Sequence, residues 1–394
     1  MGRPFAFLVL VVSFLPVAAL AESFVVLPFF NTSKNPKVDW VGESIAEAAR
    51  DALGGQGMLV LDRESLKEAY RRLALRPNSE MTRATVIKIA ETLDADEILF
   101  GQFDVLPATT PGGKESLRLT ARVLDLRSMK QFPEFSETGA FDELAAVQEH
   151  LAWQTLRVSA PASVPSEEEF RRLHPPVRVD AIENYIRGLL ATSTEQKHRF
   201  LTQAARLDPS YAEPNFELGR LLWTQENFGA AEEWFRKVPA RFPHYREANF
   251  FLGLCRFYTG DYTGAQIAFD LVAQSVPLNE VFNNLGAAQS LRDRPEALEN
   301  FRKALEGDQA DPDYHFNIGY ALWKRGEFDA AAESFRATLA RDPQDAEATK
   351  MLGRCLKKMQ YRANDPNDEP LERVKETYNE RVYWQLKAAL EPKK

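Results

Sequence analysis

Apolar residues fall into three rhythms along the chain. The first is a single run over residues 5–15, interrupted by Ser13, with Arg3 before it and Ala19-Leu20-Ala21 after it. A basic start, a short apolar run and small residues at an Ala-x-Ala site predict a secretory signal peptide over 1–21. The run is shorter than the ~20 residues a spanning helix needs. In the second rhythm short apolar runs alternate with amphipathic helices. Residues 23–29 (SFVVLPF) read as a buried strand, and Trp40, Val41, Ile45, Ala48, Ala49 and Ala52 share one side of a helix over 40–53. A strand over 58–61 follows, then a helix over 63–73 capped by Asp62, and a helix over 82–93. Strands over 97–105 and 116–126, joined around Pro111-Gly112-Gly113, a pairing segment over 130–138 and a helix over 141–156 complete a small α/β domain, 22–157. Residues 158–179 hold Pro161, Pro165, Pro175 and Pro176 with Glu167-Glu168-Glu169, which predicts an exposed, semi-rigid linker with room for one helical turn.

The third rhythm is longer. Leu218-Gly219, Leu252-Gly253, Leu285-Gly286, Ile318-Gly319 and Leu352-Gly353 recur at spacings of 34, 33, 33 and 34 residues. Ala231, Ala265, Ala297 and Ala331 follow the first four glycines by 11 or 12 residues, and Phe235, Phe269, Phe301 and Phe335 come four residues after each alanine. Pro209, Pro243, Pro277, Pro312 and Pro343 close the units. Small residues at fixed positions let the two helices of a unit cross closely, and the Phe column is expected to fill the space between neighbouring units. Gly260-Asp261-Tyr262 and Gly326-Glu327-Phe328 read as the turns inside hairpins. One unit cannot bury its own apolar face, so the array must stack. These columns, in this order, resemble the tetratricopeptide repeat family, with five repeats plus a partial sixth over 180–363. The resemblance implies an all-α superhelical solenoid whose concave groove holds a protein or peptide. The fold class is therefore α+β, a small α/β domain followed by an all-α tetratricopeptide solenoid. Residues 364–394 leave the pattern. Val374, Tyr378, Val382 and Leu386 at helical spacing predict a C-terminal capping helix over about 371–390.

The first domain carries Val25-Val26-Leu27-Pro28-Phe29, Trp40-Val41-Gly42-Glu43-Ser44-Ile45-Ala46, Val60-Leu61-Asp62-Arg63-Glu64, Ala95-Asp96-Glu97-Ile98-Leu99-Phe100-Gly101 and Leu119-Thr120-Ala121-Arg122-Val123-Leu124-Asp125. This order resembles the amino-terminal domain of TolB-type proteins and the FlgO-like family of bacterial envelope proteins. The resemblance covers about residues 23–155 and implies an envelope binding module instead of a catalyst.

In the repeat frame, the groove-facing columns lie three before the glycine and one, four and five after it. They contain Phe216, Phe250 and Phe316, then Arg220 and Tyr320, then Trp223, Phe257 and Trp323, then Tyr258 and Lys324. Aromatic side chains on this face make a hydrophobic groove for an extended or helical peptide, or else part of the core between repeats. Asn284 and Asn317 lie two before their glycines, where the resemblance implies contacts to peptide backbone. The cationic set that grips a C-terminal carboxylate in some members is missing, since Phe250, Leu254 and Asp313 stand in its place. Glu213, Glu247, Glu280, Asp313 and Glu347 all fall six before the glycine. Such a ladder attracts basic ligands, or more simply complements helix N-termini at ~0.3–1 kcal/mol each. Cys255 and Cys355 share one packed column three repeats apart, too far for a bridge, and read as small buried hydrophobes.

Composition narrows the function classes. The 394 residues are 44% hydrophobic and 27% charged, which are globular proportions, and carry a net charge of −8. Removing 1–21 takes away Arg3 and no acid, leaving 48 basic against 57 acidic residues. That balance argues against nucleic acid as a partner. Five His and two Cys lack metal-ligand spacing. The segment Pro111-Gly112-Gly113-Lys114 joins strands and reads as a turn, not a phosphate loop, and Asp62-Arg63-Glu64 reads as a cap with a surface pair. The sequence therefore predicts no enzyme, no catalytic or metal site and no cofactor. It predicts an exported, periplasmic or secreted scaffold without an integral span, binding protein or peptide in the groove and envelope proteins through the first domain. The alternatives are a sensor or enzyme with a small-molecule site in the α/β domain, and an architectural role in which the chain's own linker or cap fills the groove.

Overall fold

The computed structural model describes residues 23–33, 35–77, 79–108, 113–161, 164–362 and 370–390. The leader predicted over 1–21 and the centre of the Pro111-Gly112 turn lie outside them. The first domain is built on one mixed sheet. Its strands are β1 (Ser23–Val26), β2 (Phe30–Asn31), β3 (Leu59–Val60), β4 (Glu97–Leu106), β5 (Ser116–Asp125), β6 (Lys130–Gln131) and β7 (Phe135–Ala140). β1 lies parallel between β3 and β4, and the long β4–β5 pair is antiparallel. β6 and β7 both line the far edge of β5. Alternation along β1 divides the core. Phe24 and Val26 face α1 (Trp40–Gly55) and α4 (Leu144–Ser159), whereas Val25 and Leu27 face α2 (Arg63–Arg72) and α3 (Arg83–Thr92). Asp62 caps α2 by accepting from Ser65 N at 2.8 Å.

The linker differs from its expectation. Glu167–Leu173 forms a helix (α5), opened by a capping box between Ser166 and Glu169. Phe170 is buried in the core of the first domain, so an apolar anchor replaces an exposed spacer. The same core runs on into the solenoid. Tyr185 of the first repeat and Tyr211, just before Glu213, pack edge-to-face 5.2 Å apart and share a cluster with Ala49 and Leu53 of α1. Arg63, expected at the surface, is largely buried. It meets Glu43 at 3.2 Å and donates to Leu189 O at 3.0 Å, joining sheet domain to solenoid.

The repeats form paired helices α6 (Val179–Leu190) and α7 (Thr194–Leu207), α8 (Glu213–Trp223) and α9 (Phe228–Phe235), α10 (Tyr245–Tyr258) and α11 (Tyr262–Ser275). The pairs α12 (Asn279–Ser290) and α13 (Ala297–Gly307), α14 (Pro312–Lys324) and α15 (Phe328–Arg341) follow, then a single α16 (Ala346–Leu356). A Cβ on Gly219, Gly253, Gly286 or Gly319 would come within 2.6, 2.6, 2.8 or 3.1 Å of the ring of Phe235, Phe269, Phe301 or Phe335. Each ring thus lies on the glycine of its own hairpin and is not confined to the space between units; Phe235 also stacks on Phe251 of the next unit at 5.6 Å. Seven residues after these glycines the chain turns left-handed, at Glu226, Gly260, Asp293 and Gly326. The sequence marks only the two glycines. Cys255 and Cys355 are buried free thiols.

The expected helix over about 371–390 is helical only from Glu380 (α17, Glu380–Leu390). Residues 370–379 carry neither helix nor strand.

A Cβ on Gly353 would meet nothing within 4 Å, and among the described residues α16 is followed by no paired second helix. Gly219→Ala is therefore expected to cost about 1–3 kcal/mol through overpacking. Gly353→Ala is expected to be neutral or to stabilise by up to about 1 kcal/mol through helix propensity. Urea unfolding of the two variants checks this, and equal losses at both positions would refute the packing role of the column.

Candidate functional site

The first helices of the repeats line a concave groove, and the chain's own residues 371–379 lie in it. The binding is directed first at backbone. Asn317 accepts from Arg373 N at 2.9 Å and donates to Arg373 O at 2.7 Å, and Asn283 donates to the same carbonyl at 2.8 Å. Asn284 accepts from Lys375 N at 2.7 Å and donates to Lys375 O at 2.8 Å. Alternate residues of the segment thus have both peptide groups paired by one side-chain amide, as a neighbouring strand would pair them. The amides are themselves fixed. Asn317 donates to Asn283 Oδ1 at 2.7 Å, and all three are essentially fully buried. Pairing removes the penalty such buried amides would otherwise carry.

Arg373 and Lys375 both reach one wall. Asp345 takes Arg373 bidentately at 2.7 and 3.0 Å, with Asp313 at 3.1 Å and Glu347 at 3.2 Å beside it. The guanidinium also sits 3.6 Å from the centroid of Phe316. Lys375 reaches Asp313 at 2.6 Å and Asp311 at 2.8 Å. On the other side, the Glu372 carboxylate accepts from Ser290 at 2.7 Å and meets Lys324 at 3.4 Å. Val374 packs half-buried between. Further along, Tyr258 donates to Glu376 at 2.6 Å, Tyr378 donates to Glu247 at 3.0 Å with its ring edge-on to Phe250, and Asn379 N donates to Glu280 at 3.0 Å. Asn379 caps α17, whose Lys387 donates to Pro243 O at 2.9 Å.

The charges respond to these contacts. Partial burial favours the neutral form of Asp345, but hydrogen bonds and charge from Arg373 outweigh it and hold the carboxyl below its ordinary 3.8. Burial opposes charge on Lys375, yet Asp311 and Asp313 raise it. Where groove, tail helix and first domain meet, His244 hydrogen-bonds Glu247 and faces Asp51 at 3.8 Å. Burial works against its charge, but Glu247 and Asp51 push it up to about 10. Partial burial and the neighbouring Asp51 push Glu213 up to about 8.

Of the residues predicted for the groove, Phe250, Tyr258, Asn284, Phe316, Asn317 and Lys324 touch the tail. Trp223 and Phe257 support Tyr258 from beneath, with ring centroids 5.8 and 5.9 Å away. Arg220 is exposed beside Glu217. Phe216 stacks on His244, while Tyr320 and Trp323 are buried, Trp323 donating to Met359 O at 2.7 Å. These last three serve the core. Four rungs of the acidic ladder, Glu247, Glu280, Asp313 and Glu347, contact the tail, so they do more than complement helix N-termini. The reading missed Asn283, although it occupies the column three before the glycine that holds Phe in other units. It also missed Asp311 and Asp345, which stand two before a ladder acid only in the units that face the tail's cations.

A separate cleft of about 190 Å³ in the first domain lies between Pro28, Trp40, Glu43, Met81, Gln102 and Arg122. Three of its charged members are engaged with neighbours, Glu43 with Arg50 and Arg63, Arg122 with Glu134, and Asp39 with the Asn31 amide, while Glu80 also lines the cleft.

Sequence comparison places the repeats in a class. The tetratricopeptide repeat profile matches residues 198–246, 287–346 and 316–356, and the helical half of the chain carries such repeats. Among solved structures it is similar to MamA 41-end from Desulfovibrio magneticus RS-1, with 23% identity over 43% of this chain and 98% of that one, at a TM-score of 0.39. It is also similar to YrrB, described as a TPR protein with an unusual peptide-binding site, with 22% identity over 40% and 82% and a TM-score of 0.36. A third likeness is to Pseudomonas aeruginosa pilF, with 23% identity over 45% and 83% and a TM-score of 0.37. Comparison with curated proteins returned no match.

Asn317→Ala removes two of the three bonds to the Arg373 peptide groups. A loss of about 1–2 kcal/mol is expected, which is roughly tenfold faster hydrogen exchange at amide 373 without global unfolding. Because Asp345 is depressed, its contribution is present above 3.8 and is lost as pH falls through its lower folded value. A fluorophore on Thr377→Cys is expected to gain mobility below about pH 3.8, and constant anisotropy down to pH 2 would contradict the ionic clamp.

Proposed function

We propose that the protein is an exported, non-enzymatic scaffold. Its solenoid groove holds a segment of a protein partner, and its α/β domain docks to bacterial envelope machinery. The observation that carries this reading is the backbone clamp. Asn283, Asn284 and Asn317 pair the N–H and C=O groups of an extended chain, which is a way to hold peptide and has no evident use in binding a small molecule. Tetratricopeptide repeats are in general protein-interaction modules, in keeping with that geometry. The alternative, a ligand site in the first domain, draws less support, since Glu43 and Arg122 at its cleft are already ion-paired with neighbouring side chains.

Export is tested by fractionation with sequencing of the mature amino terminus. A chain beginning at Glu22 outside the cytoplasm is expected, and a cytoplasmic chain that keeps residues 1–21 would remove the export reading. A photo-crosslinker in place of exposed Arg220, beside the groove, is expected to trap a defined envelope protein in cells. No adduct from this position, in cells where the protein is expressed and folded, would argue against the scaffold role.

A further inference from the structure

We infer that residues 371–379 are a built-in stand-in for the partner. The partner's recognised segment is then an extended peptide with two cationic side chains two residues apart and a carboxylate just before the first, and it binds by displacing the tail. The inference rests on the scaffold reading and specifies its ligand. Three features support it.

The clamp grips peptide groups at every second residue, so it fits any extended segment in this register. Specificity therefore comes from the side chains between wall and clamp. On the wall, four carboxylates (Asp311, Asp313, Asp345 and Glu347) face two cations, Arg373 and Lys375. The tail leaves that wall with an acidic surplus, and a more basic segment would complement it better. Opposite, Lys324 and Ser290 define a place for one carboxylate, now filled by Glu372.

The seat is largely polar and, apart from the Glu372 site, which is closed (1% exposed), only partly covered. Arg373 and Lys375 are each about one-fifth exposed (21%), and Glu376 and Thr377 face solvent. With no helix or strand in 370–379, leaving the groove breaks no secondary structure in that segment. A segment held mainly by side-chain amides and ion pairs, with Val374 and Tyr378 as apolar contacts, can be exchanged for another that makes the same bonds.

The test uses the full-length protein carrying Arg373→Glu and Lys375→Glu, which sets the tail against the acidic wall and leaves every groove residue in place. The probe is a fluorescent peptide copying residues 370–380, beside a control in which its Arg and Lys positions are Ala. The basic peptide is expected to bind the charge-reversed protein at least tenfold more tightly than wild type. The control is expected to bind that protein at least tenfold more weakly than the basic peptide does, and added salt to narrow the gap. Equal binding of both peptides would overturn the charge pattern while leaving the scaffold reading in place. Binding of neither, by a protein with an unchanged unfolding midpoint, would overturn both. Crosslinks joining the tail of one copy to the groove of another in a wild-type dimer would overturn displacement by a foreign partner and assign the groove to a second copy. Should the charge-reversed chain misfold, wild type serves: excess basic peptide is expected to accelerate hydrogen exchange at amides 373 and 375, and no acceleration would overturn the proposal.

Discussion

The pairing of peptide groups by buried asparagine side chains is the interaction on which the solenoid's inner face depends. An amide buried at the centre of an apolar array is costly unless both its donor and its acceptor are used. Asn284 and Asn317 use theirs on an extended backbone, and that choice sets everything around them. It imposes the register, the register sends alternate side chains to opposite walls, and the walls carry the charges that suit them. The ion pairs of Arg373 and Lys375 are therefore secondary to the amides. They add side-chain contacts to a backbone that the amides already hold.

The same logic ties the ends of the molecule together. The first repeat is not free, because Tyr185 and Tyr211 share a core with α1 and Arg63 spans the junction. The tail leaves the groove close to that junction, where Tyr378, Glu247 and His244 follow one another and His244 faces Asp51 of α1. Sheet domain, solenoid and tail thus meet around one partly buried, charged cluster.

Much of this was legible in the residues. Period, helix order and the small-residue columns follow from spacing, because a stacked repeat repeats its packing. The α/β order was legible from alternation and caps. Asn284 and Asn317 could be singled out because the repeat frame gives each position a direction. The extended run of 371–379 could not. Val374, Tyr378, Val382 and Leu386 satisfy a helical period, but over the first part of it the backbone groups are paired with the amide clamp instead. Long-range pairing overrides local pattern there, as it does for Phe170, whose proline-rich setting suggested exposure. Asn283 was hidden for a different reason: it occupies a column that aromatic residues fill elsewhere, so the column average concealed the exception.

One consequence concerns concentration. Arg362 and Pro370 bracket a short covalent connection between the last repeat and the segment in the groove. A ligand so tethered behaves as if present at an effective concentration of the order of millimolar. A free partner at micromolar levels would face a handicap of roughly a thousandfold, about 4 kcal/mol, before it could hold the groove half the time. Occupancy would then rise only for partners that are very well matched, locally crowded or attached at a second point. Tether length, and not groove chemistry alone, sets that threshold.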